Sequence, residues 1–386
     1  MTMNPLLQLI TCGQSYWLDN LTRDMLTSGE LHQRITEQGL RGITSNPATF
    51  HKAIVGSQEY ETQIRQLVDA GRAVPEIYEQ LVVTDIQHAC DLLRPVYEAS
   101  DGVDGFVSLE VSPYLAHDTV GTMQEARRLY HAVDRPNVFI KIPGTSAGVP
   151  AIEEMLYDGL PINITLLFAI EDYEAVAQAY IRALERRLAD GKPVHNVASV
   201  ASFFLSRIDV LVDQLLEHRI RSSSTSGDAP RPEQLLGKVA VANAKLAYQS
   251  FKRLFGSEHW HALAAQGARV QRPLWASTST KNPRYPDTMY VEPLIAPHTV
   301  NTMPAETIAA FAEHGRVVDH AIETDLEEAH RVLLDLERVG IDFACVTWQL
   351  QNEGVQKFIE PYDALLQALA AKCQELPGTR TSSRKP

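Results

Sequence analysis

The sequence predicts an α/β protein, a (β/α)8 barrel with additional helices at the C-terminus. Short apolar, β-branched runs alternate with amphipathic helical segments along most of the 386 residues, and this alternation is typical of a parallel sheet or barrel. Eight such runs are strand candidates, and eight is the number of strands in a (β/α)8 barrel. In chain order they are residues 15–19, 42–45, 106–111, 138–142, 162–167, 197–203, 274–277 and 289–294.

Helical segments fill the connections between these strands. Apolar residues recur at helical spacing over residues 123–133, 149–158 and 170–189,. Residues 47–105 are long enough for at least two helices. The stretch after Arg207 predicts a helix to His218, a loop and a second helix over 232–255. The loop, residues 222–232, is rich in Ser, Gly and Pro, so we expect an exposed loop and no domain boundary there.

The helical pattern continues beyond the eighth strand candidate. Residues 305–314, 319–338 and 353–372 have helical spacing, and we expect these helices to pack on the barrel exterior. Residues 343–348 could instead form a ninth strand, and a flavodoxin-like open sheet would show the same alternation. We expect one domain over residues 1–376. The last ten residues, 377–386, are poor in apolar residues and are expected to be disordered.

Composition limits the classes of partner. The formal charge of −13 and the pI near 5.5 argue against nucleic acid and anionic membranes, while a local basic pocket for a small phosphate stays possible. Four scattered cysteines without CxxC or CxxH spacing predict neither a zinc site nor a disulfide framework,. The chain begins without a basic and apolar leader and has no run of about 18 apolar residues. A cytoplasmic protein without a bound metal is expected.

Lys141 is the first candidate for a chemical role. It lies within the apolar run VFIKIPG, residues 138–144, without a neighbouring carboxylate in sequence. Burial disfavours the charged ammonium, and a neutral amine can attack a carbonyl to form a Schiff base. The alternative is a solvated lysine on an edge strand, which is common for a single lysine.

Other polar residues end the neighbouring strand candidates. Asp19 ends the first, Asn46 follows the second, and Glu110 is near the end of the third. Barrel enzymes carry their catalytic groups at this end of the strands. Asp19 and Asn46 each have an alternative as helix caps, whereas an apolar setting for Glu110 is costly without a partner.

The fifth and sixth strand candidates also carry polar residues with a two-residue period. Asn163 and Thr165 should face the same side, as should Ser202 and Phe204, because side chains alternate along a strand,. In a barrel that side is the interior. A purely structural hydrogen-bond network is the alternative.

All of these residues except Asp19 occur within motifs that resemble those of the transaldolase family, in particular its long form. The motifs are GITSNP (42–47), SLEV (108–111), IKIPGT (140–145), INITLLF (162–168) and SFFLSRID (202–209). Their order and spacing extend the resemblance over about residues 15–304, followed by a helical C-terminus. The resemblance implies a class I aldolase-type barrel without cofactor, acting in the non-oxidative pentose phosphate pathway. Its members move a dihydroxyacetone unit from sedoheptulose 7-phosphate or fructose 6-phosphate to glyceraldehyde 3-phosphate or erythrose 4-phosphate.

The same resemblance implies a role for each matched position. Lys141 corresponds to the Schiff-base lysine, Asp19 to the acid–base carboxylate, and Glu110 with Thr165 to the pair that holds a catalytic water. The substrate contacts would be Asn46 and Asn163 for the hydroxyls, with Ser202 and Arg207 for the phosphate. Phe204 would lie beside the water site.

One position departs from the family pattern. Where short forms have a second arginine for the phosphate, this chain has Lys281, which supplies charge but no bidentate fork. The alternative is a solvated loop lysine. Two other functions stay open: an aldolase that releases free dihydroxyacetone, and a catalytically inactive barrel that serves as a scaffold. The expected assembly is a monomer or homodimer.

Overall fold

The structure is a computed structural model that describes residues 4–222 and 230–376. Its centre is a closed barrel of eight parallel strands, each paired with the next, with β8 returning to β1. The strands are β1 Gln14–Leu18, β2 Gly42–Ile43, β3 Phe106–Glu110, β4 Val138–Pro143, β5 Ile162–Leu167, β6 Ser199–Phe204, β7 Arg272–Ala276 and β8 Thr299–Met303. The predicted fold class is confirmed, and an open sheet is excluded.

The prediction for the last strand is wrong. Seven predicted strands match observed ones with ends shifted by a few residues, but residues 289–294 form no strand and end in the short 3-10 helix Glu292–Leu294. Pro293 has no backbone N–H to donate to a sheet ladder. The true eighth strand follows Pro297, and its sequence TVNTM is rich in β-branched residues, which favour strands,.

Fifteen α-helices surround the barrel within the described residues. In chain order, α1 to α15 are Pro5–Thr11, Arg23–Thr27, Glu30–Gln38, Pro47–Val55, Glu61–Asp69, Val74–Ala99, Thr119–Val133, Gly148–Asp158, Ile170–Ala189, Ser206–Ser222, Val239–Phe255, Glu258–Ala264, Ala305–His314, Leu326–Arg338 and Phe343–Glu375. None of these described helices is both long and apolar enough to cross a membrane. The predicted tail 377–386 and most of the predicted loop 222–232 lie outside the described residues.

The possible ninth strand over residues 343–348 is the first part of α15. Asp342 precedes this helix, and its Oδ1 accepts hydrogen bonds from the backbone N–H groups of Ala344 (2.9 Å) and Cys345 (3.2 Å). An aspartate that satisfies the free N–H groups of a first turn favours a helix start over a strand. The run is therefore the start of a helix, in which Val346 is buried and Trp348 is exposed.

The helix α15 also corrects the expected position of the C-terminal helices. Gln351 donates hydrogen bonds from Nε2 to the carbonyl oxygens of Gly144 and Leu166, both at 3.3 Å. Gly144 follows β4 and Leu166 is near the end of β5. The last helix thus crosses the carboxyl ends of the strands and does not pack on the barrel exterior as predicted.

The amino-terminal end of the barrel is filled by a buried ion pair. Nη1 of Arg272 lies 2.9 Å from Oδ1 of Asp104, and its Nη2 donates to Ser15 Oγ (2.6 Å) and to the carbonyl oxygen of Thr299 (2.8 Å). Buried charges require such partners. The opposite end of the barrel, under α15, contains a cavity that is lined by Lys141, and this cavity is the candidate site for catalysis.

Candidate active site

Lys141 lies inside the barrel, near the carboxyl end of β4. Its side chain is only 6% exposed, and Nζ lies 3.2 Å from the carbonyl oxygen of Ser45 and 3.3 Å from Oε2 of Glu110. The strand register pairs Lys141 with Glu110 on one side and with Asn163 on the other. Because the barrel is closed, β4 has no free edge, and the solvated-lysine alternative does not hold.

Two carboxyl groups lie near this lysine: Glu110 contacts it, and Asp19 lines the same cavity. Burial raises the pKa of both Asp19 and Glu110 above the usual range, and the Lys141 ammonium opposes that shift in each. Oδ1 of Asp19 also accepts a 2.8 Å hydrogen bond from Thr44 Oγ1. The helix-cap alternative for Asp19 is wrong, because Thr22 caps α2. Carboxyl groups with raised pKa are suited to proton transfer near neutral pH.

Asn46 both caps a helix and lines the cavity. Its Oδ1 accepts a hydrogen bond from the backbone N–H of Thr49 at 3.0 Å, so it caps α4 as the helix-entry interpretation predicts. The same residue lines the cavity above Lys141. The cap fixes the orientation of the amide and leaves its Nδ2 group for a partner in the cavity.

Asn163, Ser202 and Ser108 form a buried hydrogen-bonded chain beneath the cavity. Nδ2 of Asn163 donates to Ser108 Oγ at 3.0 Å, and Ser202 Oγ donates to Oδ1 of Asn163 at 2.7 Å. Asn163 is fully buried, whereas Ser202 reaches the cavity. Asn163 therefore belongs to a hydrogen-bonded network, and it adjoins the cavity through Ser202.

Thr165 is two residues further along β5 and lines the cavity. The register of β5 against β6 shifts between Ile164 and Leu167, and Leu166 has φ 60°, in the left-handed region. Such bulges at barrel rims redirect side chains. Oγ1 of Thr165 is buried and has no hydrogen-bonding partner among the described residues.

Arg207 lies at the start of α10 between two aromatic rings. The guanidinium carbon is 5.1 Å from the ring centre of Phe204 and 5.8 Å from that of Phe358. Its Nη1 is buried without a partner in the described part of the chain. Burial lowers the pKa of Arg207, and the carboxylates of Asp19 and Glu110 oppose this. A buried N–H group without a partner indicates a site for an acceptor such as a phosphate oxygen.

These side chains surround a cavity of about 80 Å³. Its wall comes from several strand ends and from α15. The lining residues are Asp19, Thr44, Asn46, Lys141, Thr165, Ser202, Phe204, Arg207, Ala276, Ser277, Thr302 and Phe358. Glu110 contacts this site through Lys141.

Five lining residues were not among the sequence candidates for substrate or catalytic contacts: Thr44, Ala276, Ser277, Thr302 and Phe358. Oγ1 of Thr44 lies 2.6 Å from Oγ1 of Thr302, and Ser277, with φ 56°, is hydrogen-bonded to Ser206. A hydroxyl residue near the end of a predicted strand was the available signal for Thr44 and Ser277. Thr302 lay outside the strand predicted over 289–294, so it had no such signal. Phe358 carried none, because its apolar spacing in α15 indicates only a buried helix face.

Lys281 is not brought to this cavity. It lies exposed on the loop after β7, where its ammonium contacts Ser279 Oγ. It is not among the residues that line the cavity. Its match to a phosphate contact therefore stays a prediction. Within residues 4–222 and 230–376 no group of three or more His, Cys, Asp or Glu side chains is arranged to hold a metal ion.

Known proteins are similar to this sequence over nearly its full length. Residues 16–369 match the family described as Transaldolase/Fructose-6-phosphate aldolase. The chain is 48% identical over 379 residues to Transaldolase 2 of Nostoc sp., covering 97% of this chain and 99% of the relative. It is 47% identical over 378 residues to a transaldolase of Trichodesmium erythraeum, with 97% and 99% covered. A transaldolase of Parafrankia sp. is 48% identical over 365 residues, with 95% and 97% covered. With its eight-stranded barrel and buried lysine, this chain belongs to the transaldolase/fructose-6-phosphate aldolase family.

Proposed function

We propose that this protein is a transaldolase that transfers a dihydroxyacetone unit between sugar phosphates through a Schiff base on Lys141. The donor would be sedoheptulose 7-phosphate or fructose 6-phosphate, and the acceptor glyceraldehyde 3-phosphate or erythrose 4-phosphate. The observation that carries the proposal is the buried Lys141 amine, 3.3 Å from the Glu110 carboxyl group. The same cavity is lined by Arg207, whose Nη1 has no hydrogen-bonding partner among the described residues.

The first step is the formation of the Schiff base. Lys141 must lose a proton to become a nucleophile, and Glu110 is the carboxylate within reach of Nζ. The amine adds to the keto carbon, and loss of water from the carbinolamine requires a proton donor, for which a carboxyl group of raised pKa is suited,. Thr165 Oγ1 and Glu110 would hold the water involved.

The second step is cleavage of the carbon–carbon bond. Asp19 would take the proton of the hydroxyl group that becomes the aldehyde, while the iminium accepts the electron pair. Because the iminium is the electron sink, neither metal nor cofactor is needed. Asn46 and Asn163 would orient the hydroxyls of the three-carbon unit, Asn163 through the chain that it shares with Ser202.

Recognition of the phosphate would fall mainly to Arg207. Its guanidinium packs against the rings of Phe204 and Phe358. Its Nη1 has no hydrogen-bonding partner among the described residues. A pre-positioned cation with a free N–H group suits a phosphate dianion. Ser202 would be a further contact. Lys281 would contribute only if its loop moved towards the cavity.

Transfer is favoured over release of free dihydroxyacetone by the apolar ring of Phe204. This ring lies in the cavity wall beside Lys141 and Thr165, and it packs against Phe168 with ring centres 5.4 Å apart. An apolar wall keeps water from protonating the bound three-carbon carbanion equivalent. The intermediate can then add to the aldehyde of an aldose phosphate. The three buried ionisable groups Lys141, Glu110 and Asp19 argue against a scaffold, which would not need them.

Incubation with fructose 6-phosphate, with and without erythrose 4-phosphate, tests the proposal. A transaldolase forms sedoheptulose 7-phosphate only when the acceptor is present. Turnover to free dihydroxyacetone without acceptor would indicate an aldolase, and no turnover in either mixture would indicate a scaffold.

The cellular setting is part of the same proposal. The reaction belongs to the non-oxidative pentose phosphate pathway, and a cytoplasmic location suits it. A monomer or homodimer is proposed. Activity should persist in EDTA, and loss of activity that zinc or magnesium restores would contradict this mechanism.

A further inference from the structure

A second cavity of about 260 Å³ adjoins Glu110 and lies among β3, α4, α6, α7 and α15. Glu110 lies in its wall, while its Oε2 contacts Lys141 in the first cavity. Asn46 lines both cavities. The catalytic carboxyl group therefore separates two spaces, of which only one contains the lysine.

The lining of the second cavity leads from this buried carboxyl to the protein surface. The Glu110 side chain is 5% exposed, whereas that of Arg128, also in the lining, is 48% exposed. Arg128 forms ion pairs with Glu79 and with Glu125, the latter at 3.4 Å, and both carboxylates line the cavity. The outer end of the cavity is thus polar and in contact with solvent.

Oε1 of Glu110 is the polar atom that this arrangement leaves unexplained. It is buried and has no hydrogen-bonding partner among residues 4–222 and 230–376. Buried carboxylate oxygens normally have partners, and ordered water is the usual one where protein groups are absent. At about 30 Å³ for each water, the second cavity has room for several. Burial and the charge of Glu110 also raise the pKa of Tyr78, which lines this cavity, so its hydroxyl stays protonated and can donate.

The Schiff-base cycle needs such a space. When the carbinolamine becomes an iminium, its C–O bond breaks, the oxygen takes the proton of Glu110, and one water molecule leaves. Hydrolysis reverses this: water adds to the iminium carbon and Glu110 takes back the proton. During both steps the sugar phosphate occupies the first cavity, which measures only about 80 Å³ and has Phe358 in its wall.

We propose that the second cavity holds exchangeable water and is the route by which water reaches and leaves Glu110 while substrate occupies the first. The ligand of this site is water, and Glu110 is its innermost contact. The inference rests on the proposed function, since it assigns a path to the water that Glu110 handles there.

The first test is a high-resolution crystal structure of the wild-type protein. We expect ordered water within hydrogen-bonding distance of Glu110 Oε1, continuing past Tyr78 towards Glu125. A cavity with no ordered density near Oε1 would overturn the proposal. This measurement needs no variant and no activity.

The second test follows the oxygen atom that the ketose loses. Fructose 6-phosphate labelled with ¹⁸O at C2 is mixed with excess enzyme and erythrose 4-phosphate, and the sedoheptulose 7-phosphate of a single turnover is analysed by mass spectrometry. The wild type should release the label to solvent. Val83→Phe adds bulk to the cavity wall on α6, so we expect slower transfer, by about tenfold or more, and retention of label in the product.

The control is Val241→Phe, the same substitution in α11 in the wall of a different cavity. It should resemble the wild type in rate and label loss. Val83→Leu adds less volume and provides the test if Val83→Phe does not fold. If the folded Val83 variant transfers at the wild-type rate without label retention, the water route is wrong. If the wild type itself gives no borohydride-trapped adduct, the proposed function fails instead.

Discussion

At the scale of single residues, the two carboxyl groups near Lys141 should fail at different steps. Glu110→Gln removes the proton shuttle for the Schiff base, whereas Asp19→Asn removes the base for carbon–carbon cleavage. General acid–base groups contribute about 10²–10⁴-fold to rate, so both defects should be of that size. Rapid-quench borohydride trapping should recover abundant six-carbon adduct from Asp19→Asn and little from Glu110→Gln. The reverse pattern would mean that their roles are exchanged.

The phosphate contact is the second prediction at this scale. Arg207→Ala should lower kcat/KM for phosphorylated substrates by about ten- to hundredfold, mostly through KM, because a charged hydrogen bond contributes roughly 1.5–3 kcal/mol. Lys281→Ala, on an exposed loop outside the cavity lining, should have a smaller effect. An effect of Lys281→Ala equal to that of Arg207→Ala would show that the loop closes over the substrate.

Most residues that line the cavity could be predicted from the sequence because they are polar residues near the ends of apolar strands. Lys141 and Glu110 are polar interruptions in apolar strands, and the barrel register makes them neighbours. Lys281 shows the limit of this reasoning, because loop residues have no periodicity that fixes their direction. Phe358 follows Arg207 by about 150 residues, and nothing local to it indicates that it contacts a strand end.

At the scale of secondary-structure elements, α15 covers the cavity at the carboxyl ends of the strands. Phe358 lies 5.3 Å from Lys141 Nζ and 5.8 Å from the Arg207 guanidinium, measured to the ring centre. A Cβ on Gly354 would lie 2.8 Å from Leu166 Cδ2, so a larger residue at this position would require the Leu166 side chain to move. The sequence predicted the helical residues 353–372 but not their direction across the barrel, which depends on tertiary contacts such as those of Gln351.

Phe358→Ala should therefore impair the site through Arg207. Removing the ring frees the guanidinium and admits water, so we expect a raised KM for phosphorylated ketoses and more acceptor-independent release of dihydroxyacetone. Trp348→Ala is the control, because Trp348 is on the same helix and 71% exposed. Steady-state kinetics with and without acceptor measure both effects. Wild-type kinetics for Phe358→Ala would show that α15 only covers the barrel.

The eighth strand shows why element positions were harder to predict than the fold class. Residues 289–294 and 299–303 are both short and partly apolar, and periodicity alone cannot separate them. The two prolines, Pro293 and Pro297, decide the outcome by removing N–H donors before the strand begins. The count of eight was right although one member was misplaced.

At the scale of the whole molecule, a buried carboxyl group connects three parts of the outer layer. Asp209 in α10 accepts hydrogen bonds from the backbone N–H of Ala240 in α11 and from the hydroxyl of Tyr290, both at 2.8 Å. Burial raises the pKa of Asp209 to about 7. The native protein thus keeps a proton between about pH 4 and pH 7 that the unfolded chain loses.

The titration of Asp209 should make the protein less stable as pH rises,. The contribution of Asp209 to the free energy of unfolding is fully present below about pH 4, falls as pH rises and is lost above about pH 7,. Asp209→Asn removes this titration, so its stability relative to the wild type should rise over that range, by about 4 kcal/mol at most. Urea unfolding at several pH values measures the difference. A difference that is constant with pH would contradict a raised pKa.

The central claim is that Lys141 forms the covalent intermediate, and borohydride trapping tests it most directly. Sodium borohydride added with fructose 6-phosphate should inactivate the protein, and mass spectrometry should find one labelled peptide, with the adduct on Lys141. Lys245 is the internal control: it is also buried, but its Nζ donates to the carbonyl oxygen of Thr324 at 2.7 Å, so Lys245→Met should label as the wild type does and Lys141→Met should not. An adduct on any other lysine, or no adduct in a protein that catalyses transfer, would contradict the account.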